Sequence, residues 1–560
     1  MISGIRTALR GRAFSWARLL RLNWLARHGA NQDLSPLVAA EQGVWRNTLD
    51  AARSGPRVVL ATNSGGHFGL AAIDRVLALA LSLRGAHAIT VFCDGVLPAC
   101  LLCELNIQPN VARFAAQGPS RLLCGFCHAP AARATSMCDL PVSLLGEYVT
   151  ATDQERAQAF AAGVHIDSLR TACWNDIPVG EHAHAGALRY FARGALAGEP
   201  QGEAVARRFL AGAIVAAIGY GRLFDRVSPD VVVAHHGIYA PQGVVAALAR
   251  ARGIRVVTWN PAYRRDCFIF SHNDTYHHTL MEEPTERWDH APLDAGQRQR
   301  IIDYLLSRRE GREDWIRWHK DPDYGARVRL VELGLDPDKP LVAAFTNVFW
   351  DAQLHYPHNA FVDQTEWLTE TIRFFAARPD LQLVIRVHPA EVSGNPPSRQ
   401  RAADEIATLL PRLPPNVAIV PPESALSSYL IAEMANAVLI YATKMGVELA
   451  AMGMPVVVAG EAWVRNKGFT EDIRSKQHYR DVLAGLPFDQ RLDDARRERA
   501  LAYAHHFFFR RMIPLPFVER DAGTRRFTIR AASLDRLGPG ADPGLDAICR
   551  GILEGAPFEA

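Results

Sequence analysis

The sequence predicts an α/β protein with two Rossmann-type domains, each built on a mainly parallel sheet. Apolar runs of strand length alternate with segments of helical period along most of the chain, and a polar stretch rich in proline and glycine divides the series in two. With 560 residues, of which 49% are hydrophobic and 22% charged, the chain is long enough for two or three domains with full cores.

Two β-α-β units predict the first domain. In the first unit, an apolar run leads through the glycine-bearing loop 63–67 and a helical-period segment, 70–83, into a second apolar run. The second unit carries a His-His-Gly loop, 235–237, after its first strand. The expected strands are Arg57–Thr62, Ala88–Cys93, Asp230–Ala234 and Ile254–Thr258. We expect residues 46–330 to form this domain, with a cysteine-rich insertion at 93–138.

A polar segment that ends in Gly334–Pro340 marks the boundary before the second domain. Further apolar runs follow at Leu341–Phe345, Leu383–Val387, Val417–Val420, Ala437–Tyr441 and Pro455–Ala459. Helix-compatible stretches separate them, which predicts a second doubly wound sheet over 335–490. We expect residues 491–560 to form helices that pack back across both domains.

Composition excludes some classes of protein. The 62 basic and 59 acidic residues give a net charge of +3, too small for the basic surface that nucleic-acid binding requires. We expect no membrane span and no signal peptide, because no run approaches the roughly 20 apolar residues of a spanning helix. Nine cysteines in a chain of this length are expected to be thiols or metal ligands. These features predict a cytoplasmic protein.

The N-terminus predicts a basic amphipathic helix within an extension over residues 1–45. Residues 1–28 contain six arginines and no acidic residue, and apolar side chains are interleaved with them. Such a helix can lie on anionic lipid, which would place the protein on the inner face of the cytoplasmic membrane. A helix packed on its own domain and an organellar transit peptide have the same composition.

The loops after the strands of the second domain are the expected binding site for a nucleotide-activated sugar, which we call the donor. Ligands bind at the carboxyl ends of the strands in such sheets. These loops supply cations for phosphate, a helix start behind the phosphate and a carboxylate for ribose hydroxyls. The candidate donor-binding residues are Asn347, Arg386, His388, Ser427, Thr443, Lys444, Gly446, Glu448, Arg465 and Lys467.

Three runs in this domain resemble the capsule polysaccharide biosynthesis proteins. They are Val384-Ile-Arg-Val-His-Pro-Ala-Glu391, Leu439-Ile-Tyr-Ala-Thr-Lys-Met-Gly-Val-Glu-Leu-Ala-Ala-Met-Gly-Met-Pro-Val456 and Gly460-Glu-Ala-Trp-Val-Arg-Asn-Lys-Gly-Phe-Thr470. The resemblance covers the second domain well and the first loosely, and it implies a GT-B glycosyltransferase with a cleft between its domains. The His388-Pro389 pair is shared with sialyl-, Kdo- and glycerophosphate-transferring relatives, in which it contacts the nucleotide phosphate. It implies a CMP-, CDP- or UDP-linked donor.

Several of these candidates also have a purely structural interpretation. A histidine before proline can end a strand, and Glu448 can simply be an acidic side chain near a helix start. Thr443 and Ser427 can be helix N-caps. Arg465 and Lys467 lie beside a glycine in a loop expected to face the cleft, where the sequence suggests no structural role for them.

The first domain is expected to supply the base that deprotonates the acceptor hydroxyl. His67 follows the Gly65-Gly66 pair after the first strand, and His236 has the same placement after a later strand. Asp94, just after the second strand, is a carboxylate alternative. An ordinary polar loop histidine is the competing interpretation for both imidazoles.

The cysteine-rich insertion carries two CxxC pairs. Cys100 and Cys103 form the first, Cys124 and Cys127 the second, and the spacing suits four thiolates around one tetrahedral metal ion. This predicts a structural zinc, with an iron-sulfur cluster as an alternative that could use Cys93 and Cys138. Thiols that pack as small hydrophobic groups would give the same pattern.

Together these features predict a glycosyltransferase that moves a sugar from a nucleotide-activated donor to a capsular or lipopolysaccharide-type glycan, free or lipid-linked. Arg386, His388 and Lys467 would stabilise the departing phosphate, so the transfer itself would require no metal cofactor. Alternatives are a polyol-phosphate transferase with a CDP-linked donor and a non-catalytic nucleotide- or glycan-binding subunit of an assembly complex. A redox centre at the cysteines is a further alternative.

Overall fold

The computed structural model describes residues 31–290, 292–310, 313–315, 325–521 and 526–560, together with six positions between 17 and 25. It contains two large sheets, one in each half of the chain, and a small two-stranded ribbon. The α/β fold with two Rossmann-type sheets that the sequence predicts is confirmed.

The first sheet has seven strands in the order β13-β6-β5-β4-β1-β2-β3. They are β1 Arg57–Asn63, β2 His87–Phe92, β3 Val142–Leu144, β4 Val231–His235, β5 Arg255–Pro261, β6 Cys267–His272 and β13 Ile513–Pro514. Strands β1 to β5 pair in parallel, whereas β6 and β13 are antiparallel additions at one edge. Every residue of β4 is buried, as expected for a parallel sheet covered on both faces.

The second sheet has six strands, all parallel, in the order β12-β11-β10-β7-β8-β9. They are β7 Leu341–Phe345, β8 Gln382–Arg386, β9 Val417–Val420, β10 Ala437–Ile440, β11 Val456–Val458 and β12 Glu471–Asp472. The ribbon pairs β14 Val518–Arg520 with β15 Phe527–Ile529. The chain order reverses between β7 and β10 in this sheet, and between β1 and β4 in the first. Each reversal opens a crevice at the carboxyl ends of the strands.

Helices cover the sheets. Those of the first half are α1 Ser35–Ala40, α2 Gln42–Ala52, α3 Phe68–Ser82, α4 Val111–Gln117, α5 Arg121–Ser136, α6 Ala151–Gly163, α7 Val179–Phe191, α8 Gly202–Val227, α9 Gln242–Ala251, α10 Tyr276–Glu282 and α11 Ala295–Glu310. Those of the second half are α12 Ala326–Glu332, α13 Gln364–Ala376, α14 Ala390–Ser393, α15 Ala402–Leu409, α16 Ser428–Met434, α17 Met445–Ala451, α18 Lys476–Ala484, α19 Asp494–His505 and α20 Pro543–Glu554. Short 3₁₀ turns lie at Leu145–Tyr148, Ile166–Thr171, Thr285–Arg287 and Leu534–Leu537.

Side-chain caps fix several of the helix starts. Thr150 and Asp153 form a reciprocal capping box at α6, which satisfies backbone N–H groups that otherwise have no partner in the first turn. Asp363 accepts the N–H of Glu366 at the start of α13. Asp493 does the same for α19 through the N–H of Arg496.

The longest helix, α8, is long and apolar enough to cross a membrane by composition. Its most apolar window is 78% buried inside the protein. It packs against α7 and α6, and Phe209, Ile214 and Tyr220 are among its fully covered side chains. Burial on this scale identifies α8 as a core helix of the first domain.

The domains share one hydrophobic cluster, which holds them together near the C-terminus. Tyr503 and Phe507 in the helical segment after residue 494 pack in the same core as Ile269 of the first sheet and Trp463 of the second domain. A π-helical turn, His506–Arg510, continues α19. The chain then returns to the first sheet as its edge strand β13.

The predicted strands begin and end within three residues of the observed ones, but the sequence missed β3, β6, β12 and β13, and it predicted only helices in the segment that also forms β14 and β15. Those of two or three residues are too short to show a pattern, and β6 is an antiparallel strand between a turn and a helix.

The predicted N-terminal helix falls mostly outside the described residues. At the described positions, Leu20 and Trp24 are exposed, whereas Leu25 is buried beside Phe68.

Candidate functional site

A cleft between the two domains contains a cavity of about 930 Å³. Its walls are the loops that follow the strands of both sheets, which is where an open parallel sheet binds its ligands. The first domain contributes His236, Tyr239, Asn260, Tyr276 and His277. The second contributes Asn347, Asp351, Arg386, His388, Ser428, Thr443, Lys444 and Glu461.

The switch point of the second sheet, between β7 and β10, is held by Asn347. Its side-chain oxygen accepts the N–H of Ala442 at 3.1 Å, which connects the loops after these two strands. Gln364 then accepts the backbone N–H of Asn347 and donates to its carbonyl, at 2.7 and 3.0 Å. Asn347, a predicted donor-binding residue, therefore lines the cavity and also connects the two loops that form this part of its wall.

His388 lines the same cavity at the end of β8. Its backbone N–H donates to Thr346 Oγ1 at 3.0 Å, and its ring Nδ1 accepts the N–H of Ala390 at 3.0 Å. In the neutral ring the hydrogen must then be on Nε2. This arrangement gives a preset hydrogen-bond donor, suited to a phosphate oxygen.

Arg386, the last residue of β8, also lines the cavity and is almost completely buried. Its guanidinium donates to the carbonyl of Ser424 at 3.0 Å and to that of Pro421. Burial lowers the pKa of Arg386 to about 10, so the side chain still carries a positive charge at neutral pH. Arg386 therefore contributes a fixed positive charge to the cavity wall.

Glu448, proposed as a ribose ligand, is fully buried beneath the cavity. Lys444 Nζ lies 2.5 Å from one carboxylate oxygen and Arg308 Nε 3.0 Å from the other, which also accepts the hydroxyl of Tyr429. Burial raises the pKa of Glu448, but Arg308 and Lys444 outweigh burial and bring it to about 2. The structure corrects the expectation, because the carboxylate is already neutralised and does not face the cleft.

Three other predicted donor residues differ in their placement. Thr443 lines the cavity, and its hydroxyl accepts the N–H of Met445. Ser427 precedes α16 without making a side-chain cap, and its neighbour Ser428 is the one that reaches the cavity. Gly446 is a packing residue, since a Cβ there would lie 2.6 Å from Ile440 Cδ1.

Arg465 and Lys467 lie outside the cavity wall and have structural roles that the sequence did not reveal. Arg465 donates to the carbonyls of Gly460 and Ile473 at 3.1 and 2.6 Å, inside the second domain. Lys467 Nζ donates to the carbonyl of Glu283 at 2.7 Å and so connects the domains. Burial lowers the pKa of Lys467 to about 8. The expectation that these cations face a phosphate does not agree with these contacts.

Of the three candidate bases, only His236 lines the cavity. It has a φ of 32°, a left-handed conformation that is unusual outside glycine, and its Nδ1 accepts the N–H of Ile238 at 3.2 Å. Burial and the neighbouring His235 keep the pKa of His236 well below its usual value. His67 lies beside His235 behind this wall. Asp94 accepts the N–H of Gly146 at 2.9 Å, away from the cavity.

The sequence analysis missed much of the first-domain wall. Asn260 is at the end of β5, and its side chain accepts from His235 Nε2 at 2.9 Å. Tyr276 and His277 begin α10, and burial lowers the pKa of His277 to about 3. The rule that selects residues after strands would have found Asn260 if it had been applied past Thr258. Tyr276 and His277 reach the cleft only through the antiparallel turn at β6, which the sequence did not predict.

The cysteines of the two CxxC pairs converge beside the first sheet. Cys100 Sγ and Cys103 Sγ are 4.0 Å apart. The second pair lies near enough that charge on Cys100 raises the pKa of Cys124 and Cys127, in addition to the larger effect of burial. Among the described residues, only Glu283, His506 and Glu559 place three ligand atoms within 4.8 Å of one another. The thiol quartet is therefore more open than a filled metal site, and the predicted metal stays a prediction.

Comparison with known proteins gives one family match, to the second domain. Residues 330–505 match the model described as capsule polysaccharide biosynthesis protein, which confirms the resemblance of the three motifs. No curated protein sequence matches the chain.

Solved structures with similar folds include two transferases and an epimerase. KpsC beta Kdo 2,4 transferase of Thermosulfurimonas dismutans aligns at 11% identity over 55% of this chain and 87% of its own, with a TM-score of 0.35. The beta Kdo 2,7 transferase KpsC of the same organism aligns at 14% identity over 57% of this chain and 88% of its own, with a TM-score of 0.31. UDP-GlcNAc 2-epimerase of Neisseria meningitidis, bound to UDP-GlcNAc, aligns at 9% identity over 80% of this chain and 98% of its own, with a TM-score of 0.25.

Proposed function

We propose that the protein is a glycosyltransferase, because residues 330–505 match the model of the capsule polysaccharide biosynthesis proteins. It moves a sugar from a nucleotide-activated donor to a capsular or lipopolysaccharide-type glycan. The main support is the cleft itself, in which His388 and Arg386 lie at the carboxyl ends of one sheet, opposite His236 and Asn260 of the other. A donor and an acceptor can meet in such a cleft.

The donor nucleotide is proposed to lie on the second domain. His388 lines this wall with its ring hydrogen on Nε2, a donor suited to a phosphate oxygen, and the positive charge of Arg386 favours an anion there. These groups would stabilise the charge that develops on the phosphate as the sugar leaves. Asn347 positions the loop that faces the nucleotide.

The acceptor is proposed to lie on the first domain, with His236 as the base. Its ring is neutral in this structure and would take the proton at Nδ1, in place of the N–H of Ile238, and its low pKa makes it a weak base. A bound nucleotide phosphate would raise that pKa, because a nearby negative charge favours the imidazolium form. The same coupling would restrict proton removal to the complex that holds a donor.

A ligand screen with a turnover assay tests this proposal. We expect one of CMP, CDP and UDP to raise the melting temperature more than GDP or ADP do, since a ligand that binds only the folded state stabilises it. His388→Ala should reduce that shift, whereas His478→Ala, at a partly exposed position outside the cavity lining, should preserve it. Failure of every nucleotide to raise the melting temperature would falsify the donor-site assignment.

The turnover assay distinguishes a transferase from its alternatives. The expected result is release of free nucleotide that depends on a glycan acceptor, with a sugar added to the product. Nucleotide binding without acceptor-dependent release would identify a binding subunit. Addition of a polyol phosphate to the product would identify the CDP-dependent alternative that the His-Pro motif also allows. Either outcome would replace the proposed function.

A further inference from the structure

Two CxxC pairs and two glycine-bearing loops converge beside the sheet of the first domain. The first pair, Cys100 and Cys103, lies in a tight turn in which the N–H of Cys103 donates to the carbonyl of Cys100 at 2.9 Å. The turn brings the two sulfur atoms to 4.0 Å from each other. Two sulfurs bound to one zinc ion at about 2.3 Å in tetrahedral geometry would be about 3.8 Å apart. The first pair therefore already has the spacing of two ligands of one ion.

The second pair lies near the start of α5, on one face of the helix. Cys124 and Cys127 are three residues apart, which places their side chains on the same side. The N–H of Gly66, in the loop after β1, donates to Cys127 Sγ at 3.3 Å. The loop after β1 therefore lies directly against the sulfur of the second pair.

Gly66 and Gly95 place the two pairs against each other. A Cβ at Gly66 would be 2.8 Å from Leu102 Cδ2, inside the first pair, and 3.4 Å from Cys127 Sγ, inside the second. A Cβ at Gly95, in the loop after β2, would be 3.2 Å from Cys124 Cβ. The loops after two sheet strands therefore pass directly over the sulfurs, and each has glycine at its point of approach.

We propose that Cys100, Cys103, Cys124 and Cys127 bind one structural zinc ion as four thiolates. Binding would draw the second pair towards the first and close the tetrahedron, leaving no open position for catalysis. A site of this kind would attach residues 93–138 to the loop that carries His67, behind the acceptor wall of the cleft. Such an ion would also contribute to folding, because it would hold together four ligands from two separate segments of the chain.

Packing of uncharged thiols is the competing explanation, and the structure argues against it as a complete account. Cys103 and Cys127 are buried, but Cys100 and Cys124 are partly exposed. Cys138 and Cys549 are buried in another hydrophobic cluster of the protein. Neither of these two cysteines belongs to a CxxC pair, whereas all four cysteines of the quartet do.

Elemental analysis of the full chain, purified without added metal, tests the proposal. We expect about one zinc per chain, reduced at least roughly tenfold in Cys100→Ser/Cys124→Ser. Cys138→Ser, a buried cysteine outside the quartet, and Cys173→Ser, an exposed one, are the matched controls and should keep the metal. Zinc that is absent from the wild-type protein, or unchanged in the double variant, would overturn the proposal.

Cobalt exchange keeps the test decisive if the double variant does not fold. Replacing the metal of the wild-type protein with Co²⁺ should give the strong sulfur-to-cobalt absorption of a tetrahedral thiolate site. A cobalt spectrum without thiolate bands would overturn the assignment of the ligands. Iron with inorganic sulfide in anaerobically purified protein would overturn the zinc assignment and identify a cluster.

Discussion

The hydroxyl of Tyr239 donates a hydrogen bond to Asp351 Oδ1 at 2.9 Å, and it also accepts the N–H of Ala352 at 3.3 Å. Tyr239 follows β4 in the first sheet, whereas Asp351 follows β7 in the second. The bond therefore joins the two walls of the cleft at the point where donor and acceptor would meet. Arg170 adds a second connection nearby, donating to the carbonyl of Leu354 at 2.7 Å.

Tyr239→Phe should loosen the cleft, because it removes both hydrogen bonds and leaves the ring in place. A hydrogen bond to a charged group contributes about 1.5–3 kcal/mol, enough to shift an equilibrium between open and closed domains. We expect a larger radius of gyration by small-angle X-ray scattering. Tyr356→Phe is the control, since Tyr356 donates to Ala352 within its own domain. Equal radii for the wild-type protein and both variants would contradict this role for Tyr239.

Replacing His388 should separate phosphate contact from folding. His388→Ala removes the Nε2–H donor, and loss of one such donor in a transition state lowers turnover by roughly 10²–10³-fold. His388→Gln places an amide near the former Nε2 and should retain more activity than alanine. The measurement is acceptor-dependent nucleotide release, with circular dichroism as the folding control. Wild-type turnover in the alanine variant would argue that His388 only ends its strand.

Acid should destabilise this protein partly through His235. Burial lowers the pKa of His235 to about 3, whereas the unfolded histidine titrates near pH 6.5. The unfolded chain therefore binds more protons between these values, and stability falls as the pH drops from about 6.5 towards 3. His235→Gln can still donate to Asn260 and should show a shallower slope, by up to about 1.4 kcal/mol per pH unit.

Urea unfolding at pH 5.0 and 7.5 measures that slope directly. His165→Gln is the matched control, because the His165 side chain is 74% exposed and its replacement should leave the wild-type slope unchanged. If His235→Gln loses as much stability on acidification as the wild-type protein does, then His235 is not a source of the acid sensitivity.

The N-terminal segment is predicted to bind anionic membranes. Leu20 and Trp24, one helical turn apart, are 55% and 58% exposed, and Arg21 between them is also exposed. Apolar side chains beside arginines suit the surface of a bilayer, where charge and burial act together. Removing residues 1–28 should lower cosedimentation with anionic vesicles at low salt, and raised salt should do the same to the full-length protein.

Because Leu25 packs in the cluster around Phe68, the deletion also uncovers part of the core. Leu20→Gln/Trp24→Gln avoids this problem, since both side chains are exposed. The double variant should bind vesicles less well and keep its nucleotide affinity. Equal partitioning of the full-length, truncated and substituted proteins at low salt would show that the segment is a structural helix.

Much of the site could be located from the sequence, but the roles of its side chains could not. The rule about strand ends led to Asn347, His388 and Thr443, which line the cavity, because a strand-loop-helix pattern is local. It also selected Glu448 and Lys467, which the fold uses for ion pairing and for a connection between domains. Their partners, Arg308 and the carbonyl of Glu283, are more than a hundred residues away in the chain, and no local pattern contains them.

The sequence by itself determined the two mainly parallel sheets and the family motifs of the second domain. Alternating apolar runs, glycine loops and short motifs are properties of neighbouring residues, so they can be read without coordinates. Only the tertiary structure decided that Tyr239 meets Asp351, that Glu448 is sealed beneath the cleft and that two CxxC pairs converge at Gly66. Those outcomes depend on which surfaces close against each other, and this is set by the summed packing of the whole chain.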